Sequence, residues 1–287
     1  MTSRLRRLAT LAGAILVVLI LIGATYQGVA PAFERRRYPH PGRMVKAGSH
    51  QLHIYCSGEG TPTVVLEAPA TGMSAAWGWV QPAIARKTRV CSYDRAGLGW
   101  SEWGQVTFDP SAVPVQLHTL LRNAGERGPF LVAGQGLGAA FARMYAAAFP
   151  DKAAALVIID APTALEAPAQ LRQMGRMASL SPWLARIGLL RATRALSGFE
   201  SGLPDASVGA QATFLNRPDH LTRAAGELAR WNDTLALAAA APPREGLPIV
   251  TLDAAGHDPA ALLTDRAAAA RVTEAIDAMV DRLRRAP

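Results

Sequence analysis

The segment Pro129-Phe130-Leu131-Val132-Ala133-Gly134-Gln135-Gly136-Leu137-Gly138 reads as an apolar strand running into a glycine-rich turn. The alanine-rich run that follows, as far as Pro150, reads as a helix. This is the setting of the Gly-x-Ser-x-Gly elbow, in which a sharp strand-to-helix turn lifts a serine oxygen above a sheet to attack an acyl carbon. Here the pentad is Gly134-Gln135-Gly136-Leu137-Gly138, so Gly136 holds the nucleophile position and brings no oxygen to it. Glycine suits a left-handed turn. The backbone can keep the elbow while the reactive atom is gone.

The elements that would position such a turn are readable around it. His50-Gln51-Leu52-His53-Ile54-Tyr55-Cys56 alternates in character as a strand does, and Ser57-Gly58-Glu59-Gly60 is its turn. Thr63-Val64-Val65-Leu66-Glu67 is the nearly continuous β-branched run of a strand buried on both faces. Residues 77–87 and 113–124 have helical spacing, and Arg89-Val90-Cys91-Ser92-Tyr93-Asp94 lies between them as a strand. Ala155-Leu156-Val157-Ile158-Ile159-Asp160 and Leu247-Pro248-Ile249-Val250-Thr251-Leu252 complete the set, and a long helix over about 260–284 closes the chain. Strand and helix in alternation imply an α/β fold with a mostly parallel sheet covered by helices. Residues of about 164–243 break the alternation with Leu, Met, Trp and Arg at helical spacing, and predict a helical cap over one edge of the sheet.

The run Arg89 to Tyr93 continues as Asp94-Arg95-Ala96-Gly97-Leu98-Gly99-Trp100-Ser101. With Leu66-Glu67-Ala68 ahead of it and the glycine-rich turn behind, this segment resembles a bacterial branch of the α/β-hydrolase fold family, and the resemblance covers nearly all of residues 45–287. It implies an acyl hydrolase built from nucleophile, base, acid and oxyanion hole. By position the oxyanion donors are the N–H groups of Leu137 and Ala70. The family has glycine where this chain has Pro69, and often histidine where it has Gln135. The base is expected near the C-terminus, where His257 is the one histidine after residue 220. Two readings of His257 stay open. It is the triad histidine, or it belongs to a turn, Gly256-His257-Asp258-Pro259, whose acid is Asp258. Five residues separate Thr251 from His257, too few for the helix and strand that a complete parallel unit needs. The sheet is therefore expected to be shortened at its C-terminal end. Asp160, Asp253 and Asp258 are the candidate acids, and Asp160 could equally bond the backbone of its own turn. In this motif Asp94 and Arg95 are expected to order the loop beside the pocket. Under the family's strand order the Cys56 and Cys91 strands are neighbours, so the two cysteines can form a disulfide or remain buried thiols.

Bulk properties bound the rest. The chain has 287 residues, half of them apolar, and a formal charge of +8. No aromatic-interleaved basic patch or nucleic-acid motif occurs, so no nucleic-acid partner is expected. No Cys/His spacing for a metal is present, and nothing calls for a cofactor. Residues 8–26 carry no charge over 19 positions, about 28 Å of helix, with Arg4, Arg6 and Arg7 before them and Arg35, Arg36 and Arg37 beyond. Residues 1–30 are accordingly a membrane anchor or a cleaved signal segment, 31–45 a linker, and 46–287 the folded domain. With three Arg before the span, the domain is expected outside the cytoplasm. Together these readings predict a membrane-tethered, catalytically degenerate hydrolase fold whose pocket takes a small apolar ligand. The alternative is an active hydrolase of esters or related small substrates that uses displaced groups.

Overall fold

The computed structural model describes residues 3–104, 107–162, 169–193, 195–196, 202–254 and 261–285. The elements run α1 (Ser3–Arg37), β1 (Arg43–Ala47), β2 (His50–Ser57), β3 (Val64–Glu67), α2 (Val80–Ile84), β4 (Val90–Tyr93), α3 (Ala112–Asn123), β5 (Phe130–Gln135), α4 (Leu137–Ala148) and β6 (Ala153–Ile159). Then come α5 (Ala169–Arg186), α6 (Leu189–Thr193), α7 (Asp205–Phe214), α8 (Pro218–Ala229), α9 (Trp231–Ala240), β7 (Ile249–Leu252), α10 (Ala261–Thr264) and α11 (Arg266–Arg285).

The seven strands form one sheet in the order β1-β2-β4-β3-β5-β6-β7. The pairs β1–β2 and β2–β4 are antiparallel and the remaining four are parallel. Successive residues of a strand point to opposite faces, and the two cores follow that period. Val65, Val132, Leu156 and Ile158 pack on one face against Leu117 and Leu120 of α3 and Ala142 and Tyr145 of α4. Val64, Leu66, Leu131 and Val157 pack on the other against Val80 and Ile84 of α2 and Val272, Ile276 and Met279 of α11. Burial on both sides is why these strands read as unbroken apolar runs. Residues 261–285 are helical, so among the described residues no strand follows β7 and the sheet ends there.

Helices α5 to α9 lie between β6 and β7. The buried positions of α9, namely Trp231, Thr234, Leu235 and Ala238, fall on one helical stripe that covers α4. The buried stripe of α8 is different in kind: His220, Leu221, Arg223, Ala224 and Glu227, three of them polar or charged.

The stretch 31–45 is not a linker in conformation. α1 continues past residue 30 through Pro31 to Arg37, and β1 starts at Arg43. A proline inside a helix removes a hydrogen bond. Here tertiary contacts hold the helix on both sides of it: Gln27 donates to the Asn216 carbonyl, and Glu34 pairs with Arg191. β1 has its own local cause. Val45 and Ala47 are its buried positions, and Gly48-Ser49, with φ 86° at Gly48, is a two-residue hairpin turn into β2. The helix expected over 77–87 is shorter than that, a 3-10 turn at Ser74–Trp77 followed by α2.

Candidate functional site

The elbow is built as its sequence requires. Gly136 stands between β5 and α4 at φ 56° and ψ −122°, and its N–H donates to the Ile159 carbonyl at 2.9 Å. Side chains reach such backbone conformations only at a cost of about 1–3 kcal/mol. The flanking glycines serve packing. A Cβ on Gly134 would strike the Gly138 carbonyl, and one on Gly138 would strike the Ala68 carbonyl. A Cβ on Gly136 meets nothing within 4 Å. The position at which the sequence reading expects a nucleophile is therefore the one of these three with room for a side chain.

Leu137 opens α4, where first-turn N–H groups lack intrahelical partners. Ala70 packs against the apolar cluster that includes Leu137, Trp231 and Phe141. The two expected oxyanion positions are thus gathered at one place, under α9. Asp160 directly follows β6, and Ile159 pairs with Gln135 in register, so Asp160 and Gly136 sit at adjacent strand ends. Asp160 has φ 46°, and its N–H donates to the Leu252 carbonyl at 2.7 Å. His257 and Asp258 lie outside the described residues, between β7 and α10 in the chain.

The groups around the elbow that carry charge are ones the sequence did not single out together. Arg95 donates Nε to Glu227 Oε1 at 2.7 Å and Nη2 to Glu227 Oε2 at 2.9 Å. Its Nη1 donates to Glu67 Oε1 at 2.7 Å and to the Ala68 carbonyl at 2.8 Å, and Nη2 also reaches the Pro69 carbonyl at 2.8 Å. The Tyr93 hydroxyl donates to the other Glu67 oxygen. All four side chains are buried. Burial pushes Glu67 up against the opposing pull of Arg95, and it pushes Tyr93 well above the usual phenol value with Glu67 adding to it. For Arg95 burial works against the charge, but Glu227 and Glu67 outweigh it and hold the guanidinium protonated. Glu227 Oε2 also accepts the Thr71 N–H at 2.7 Å. A carboxylate from cap helix α8 thus fastens the loop after β3, the loop that contains Pro69. Thr71 itself is held at φ 60°.

Asp94 orders the loop, as expected of it. Its oxygens accept the Ser74 N–H at 2.6 Å, the Trp100 N–H at 2.9 Å and face His53 Nδ1 at 3.0 Å. Burial pushes the Asp94 carboxyl up, but His53 and these two backbone donors bring it below the usual value. His53 and Ser74 do not form a proton relay, because Asp94 and Ser74 Oγ share the same ring nitrogen, Nδ1. His220 of α8 is buried, and its Nδ1 accepts the Gly99 N–H at 3.1 Å. Burial, with Arg217 and Arg95 assisting against Asp94, lowers it to about 4.

Two cavities flank these loops. One of about 480 Å³ is lined by His40, Trp100, Trp103, Arg217 and His220, and one of about 450 Å³ by Trp77, Pro82, Trp100, Pro204 and Ala210. Neither is lined by Gly136, Leu137, Ala70 or Asp160. Cys56 and Cys91, directly opposite on β2 and β4, are joined in a disulfide. Glu126, close to both sulfurs, is engaged by Arg89 at 2.6 Å.

Residues 62–203 match the family described as alpha/beta hydrolase fold. A 2-hydroxy-6-oxo-2,4-heptadienoate hydrolase of Pseudomonas putida is 28% identical over 123 residues, covering 42% of this chain and 44% of that one. The chain spans less than half the length of the curated relatives it matches. Among solved structures, the Cif epoxide hydrolase of Acinetobacter nosocomialis superposes with a TM-score of 0.63 at 14% identity, over 89% of this chain and 85% of that one. A bacterial membrane phospholipase A covers 100% of both chains with a TM-score of 0.55 at 17% identity.

Proposed function

We propose that this chain, which has the alpha/beta hydrolase fold, is a membrane-tethered member of that architecture that no longer performs acyl transfer and acts by binding. Gly136 is the observation that carries the reading. The elbow around it is intact, down to the two packing glycines, and its reactive atom is missing. A nucleophile cannot be replaced by the remaining oxyanion donors, which by themselves supply only a small part of a triad enzyme's acceleration. The fastening of Thr71 by Glu227 supports the same reading, because the loop after β3 is committed to a fixed internal carboxylate. A small apolar ligand would occupy the cavity of about 450 Å³ between the cap and the sheet, where Trp77, Trp100, Pro82 and Ala210 supply an apolar lining. Helix α1 would be the anchor, with Arg4, Arg6 and Arg7 in the cytoplasm and the domain outside it. A disulfide between Cys56 and Cys91 accords with an oxidising compartment.

One observation favours a second reading, a hydrolase that works with displaced groups: Asp160 adjoins the elbow. Water activated by Asp160 or by His257 would then replace the serine. A fluorophosphonate probe and a panel of short esters separate the two. The binding reading expects neither labelling nor turnover. Covalent labelling, or turnover abolished by His257→Ala or Asp160→Asn, would defeat it.

A further inference from the structure

The lower half of α1 is docked on the cap along one helical face. Gly23, Gln27, Ala30 and Glu34 recur at the i, i+4, i+7, i+11 spacing of such a face. At Gly23 the two backbones touch: a Cβ there would strike the Ile187 carbonyl, and a Cβ on Gly188 would come within 2.7 Å of the Gly23 carbonyl. Gln27 donates to the Asn216 carbonyl at 2.8 Å and accepts Arg191 Nε at 3.0 Å. Ala30 is buried, and Glu34 pairs with the same Arg191.

This seam fixes how far the cap lies from the bilayer. The apolar run of α1 ends at Tyr26, ahead of the polar Gln27, so Gly23 is about 5 Å inside the apolar span. Ile187 and Gly188, in contact with it, share that level. Trp183 precedes Ile187 by four residues of α5, and Leu180 by seven. Even were α5 normal to the membrane, Trp183 would stay within about 6 Å of the level of Gly23 and Leu180 within about 10 Å. The headgroup layer beyond the hydrocarbon is about 5–7 Å deep on each side. Both side chains therefore fall at or within it. Among the described residues they are also the most exposed large apolar side chains of the cap, at 68% for Trp183 and 62% for Leu180, and Leu189 beyond Gly188 is 43% exposed. Arg186 stacks its guanidinium 5.0 Å over the Trp183 ring. An aromatic ring, aliphatic neighbours and a cation together match the chemistry of a lipid headgroup boundary.

The geometry points to a second membrane contact: the end of α5 and the start of α6, through Leu180, Trp183 and Leu189, insert in the outer headgroup layer of the bilayer that α1 spans. The occupant of this face is lipid, because the Gly23–Gly188 contact sets it at lipid depth. The inference rests on α1 being retained as an anchor. A cap held in this way is rigidly oriented toward the membrane, whereas a domain on a free tether would rotate.

The full-length protein in phosphatidylcholine–phosphatidylglycerol nanodiscs tests this. Its two native cysteines are bonded to one another, so nitroxide labels can be placed singly through Leu180→Cys, Trp183→Cys, Ile15→Cys and Val115→Cys. All four positions are exposed, which keeps folding out of the comparison. The ratio of oxygen to nickel-chelate accessibility is read at each. Ile15 is expected to read as hydrocarbon and Val115 as water, with Leu180 and Trp183 several-fold above Val115. A Gly23→Leu background, which forces α1 off the Ile187 carbonyl, is expected to move Trp183→Cys toward the aqueous value and leave Ile15→Cys unchanged. Cap positions that match Val115 while Ile15 reads as hydrocarbon would overturn the inference and leave the anchor standing. An aqueous reading at Ile15 as well would bring down the anchor and the inference together.

Discussion

Placing a hydroxyl at residue 136 is the most informative perturbation of this protein. In Gly136→Ser the new Cβ meets no atom within 4 Å, so the steric cost is nil. The backbone cost remains, because φ 56° and ψ −122° are unfavourable for any side chain. That strain is about 1–3 kcal/mol, and the new hydroxyl has no burial gain to offset it. For a domain of this size about 1 kcal/mol lowers the unfolding midpoint by about 2–4 °C, so a fall of about 2–12 °C is expected. Thermal unfolding of wild type and variant, followed by circular dichroism in the same detergent, measures it. A midpoint unchanged within error would show that the turn is not strained and would remove the reason for a glycine there. On the proposed reading the same variant gains no ester turnover, since among the described residues no strand follows β7 to carry a base. A Gly136→Ser protein that hydrolyses esters or takes a fluorophosphonate label would refute the claim that several parts of the machinery are lost.

Three further outcomes follow from the same geometry. Glu227→Ala leaves Arg95 with Glu67 as its one carboxylate partner among the described residues and the Thr71 N–H without the Glu227 acceptor; a buried pair broken in this way costs about 3–5 kcal/mol, and a loss below about 1 kcal/mol would show that the cap does not depend on this contact. His220 is held at about 4 in the fold against 6.5 when free, so the unfolded chain binds the extra proton between those values. Its contribution is complete above pH 6.5 and is lost as pH falls toward 4, about 3 kcal/mol in all; His220→Gln should flatten the unfolding midpoint over that range, and an unchanged slope would remove His220 as its source. The Cys56–Cys91 disulfide closes a loop of 35 residues, which predicts about 3–4 kcal/mol lost in the Cys56→Ser, Cys91→Ala pair. Denaturation midpoints coincident with wild type would show that the crosslink contributes nothing.

The strands and the elbow were legible because their signals are local. A β-branched run such as Val64-Val65-Leu66 identifies a doubly buried strand from its own residues, and Gly134-Gln135-Gly136-Leu137-Gly138 encodes its turn in five positions. The hairpin of β1 was also local, signalled by Gly48-Ser49 between two alternating stretches, and was hidden by the prolines and arginines ahead of it. The helix through Pro31 was not local. Proline argues against it, and contacts such as those of Gln27 and Glu34 with residues more than 150 positions away hold it.

The charged network at the site shows the same division. Glu67 and Arg95 are 28 residues apart, and Arg95 and Glu227 are 132 apart. Read along the chain, His220, Arg223 and Glu227 are the polar positions of an amphipathic helix and look solvated. Only the docking of α8 buries them, because burial depends on what lies opposite a face and the face itself does not encode that. Covalent composition decided by itself that no hydroxyl stands at residue 136. The packing of distant segments decided that a glutamate would fasten Thr71 beside it and that Gly188 would rest on Gly23, since desolvation and pairing arise only when the folded chain brings such groups together.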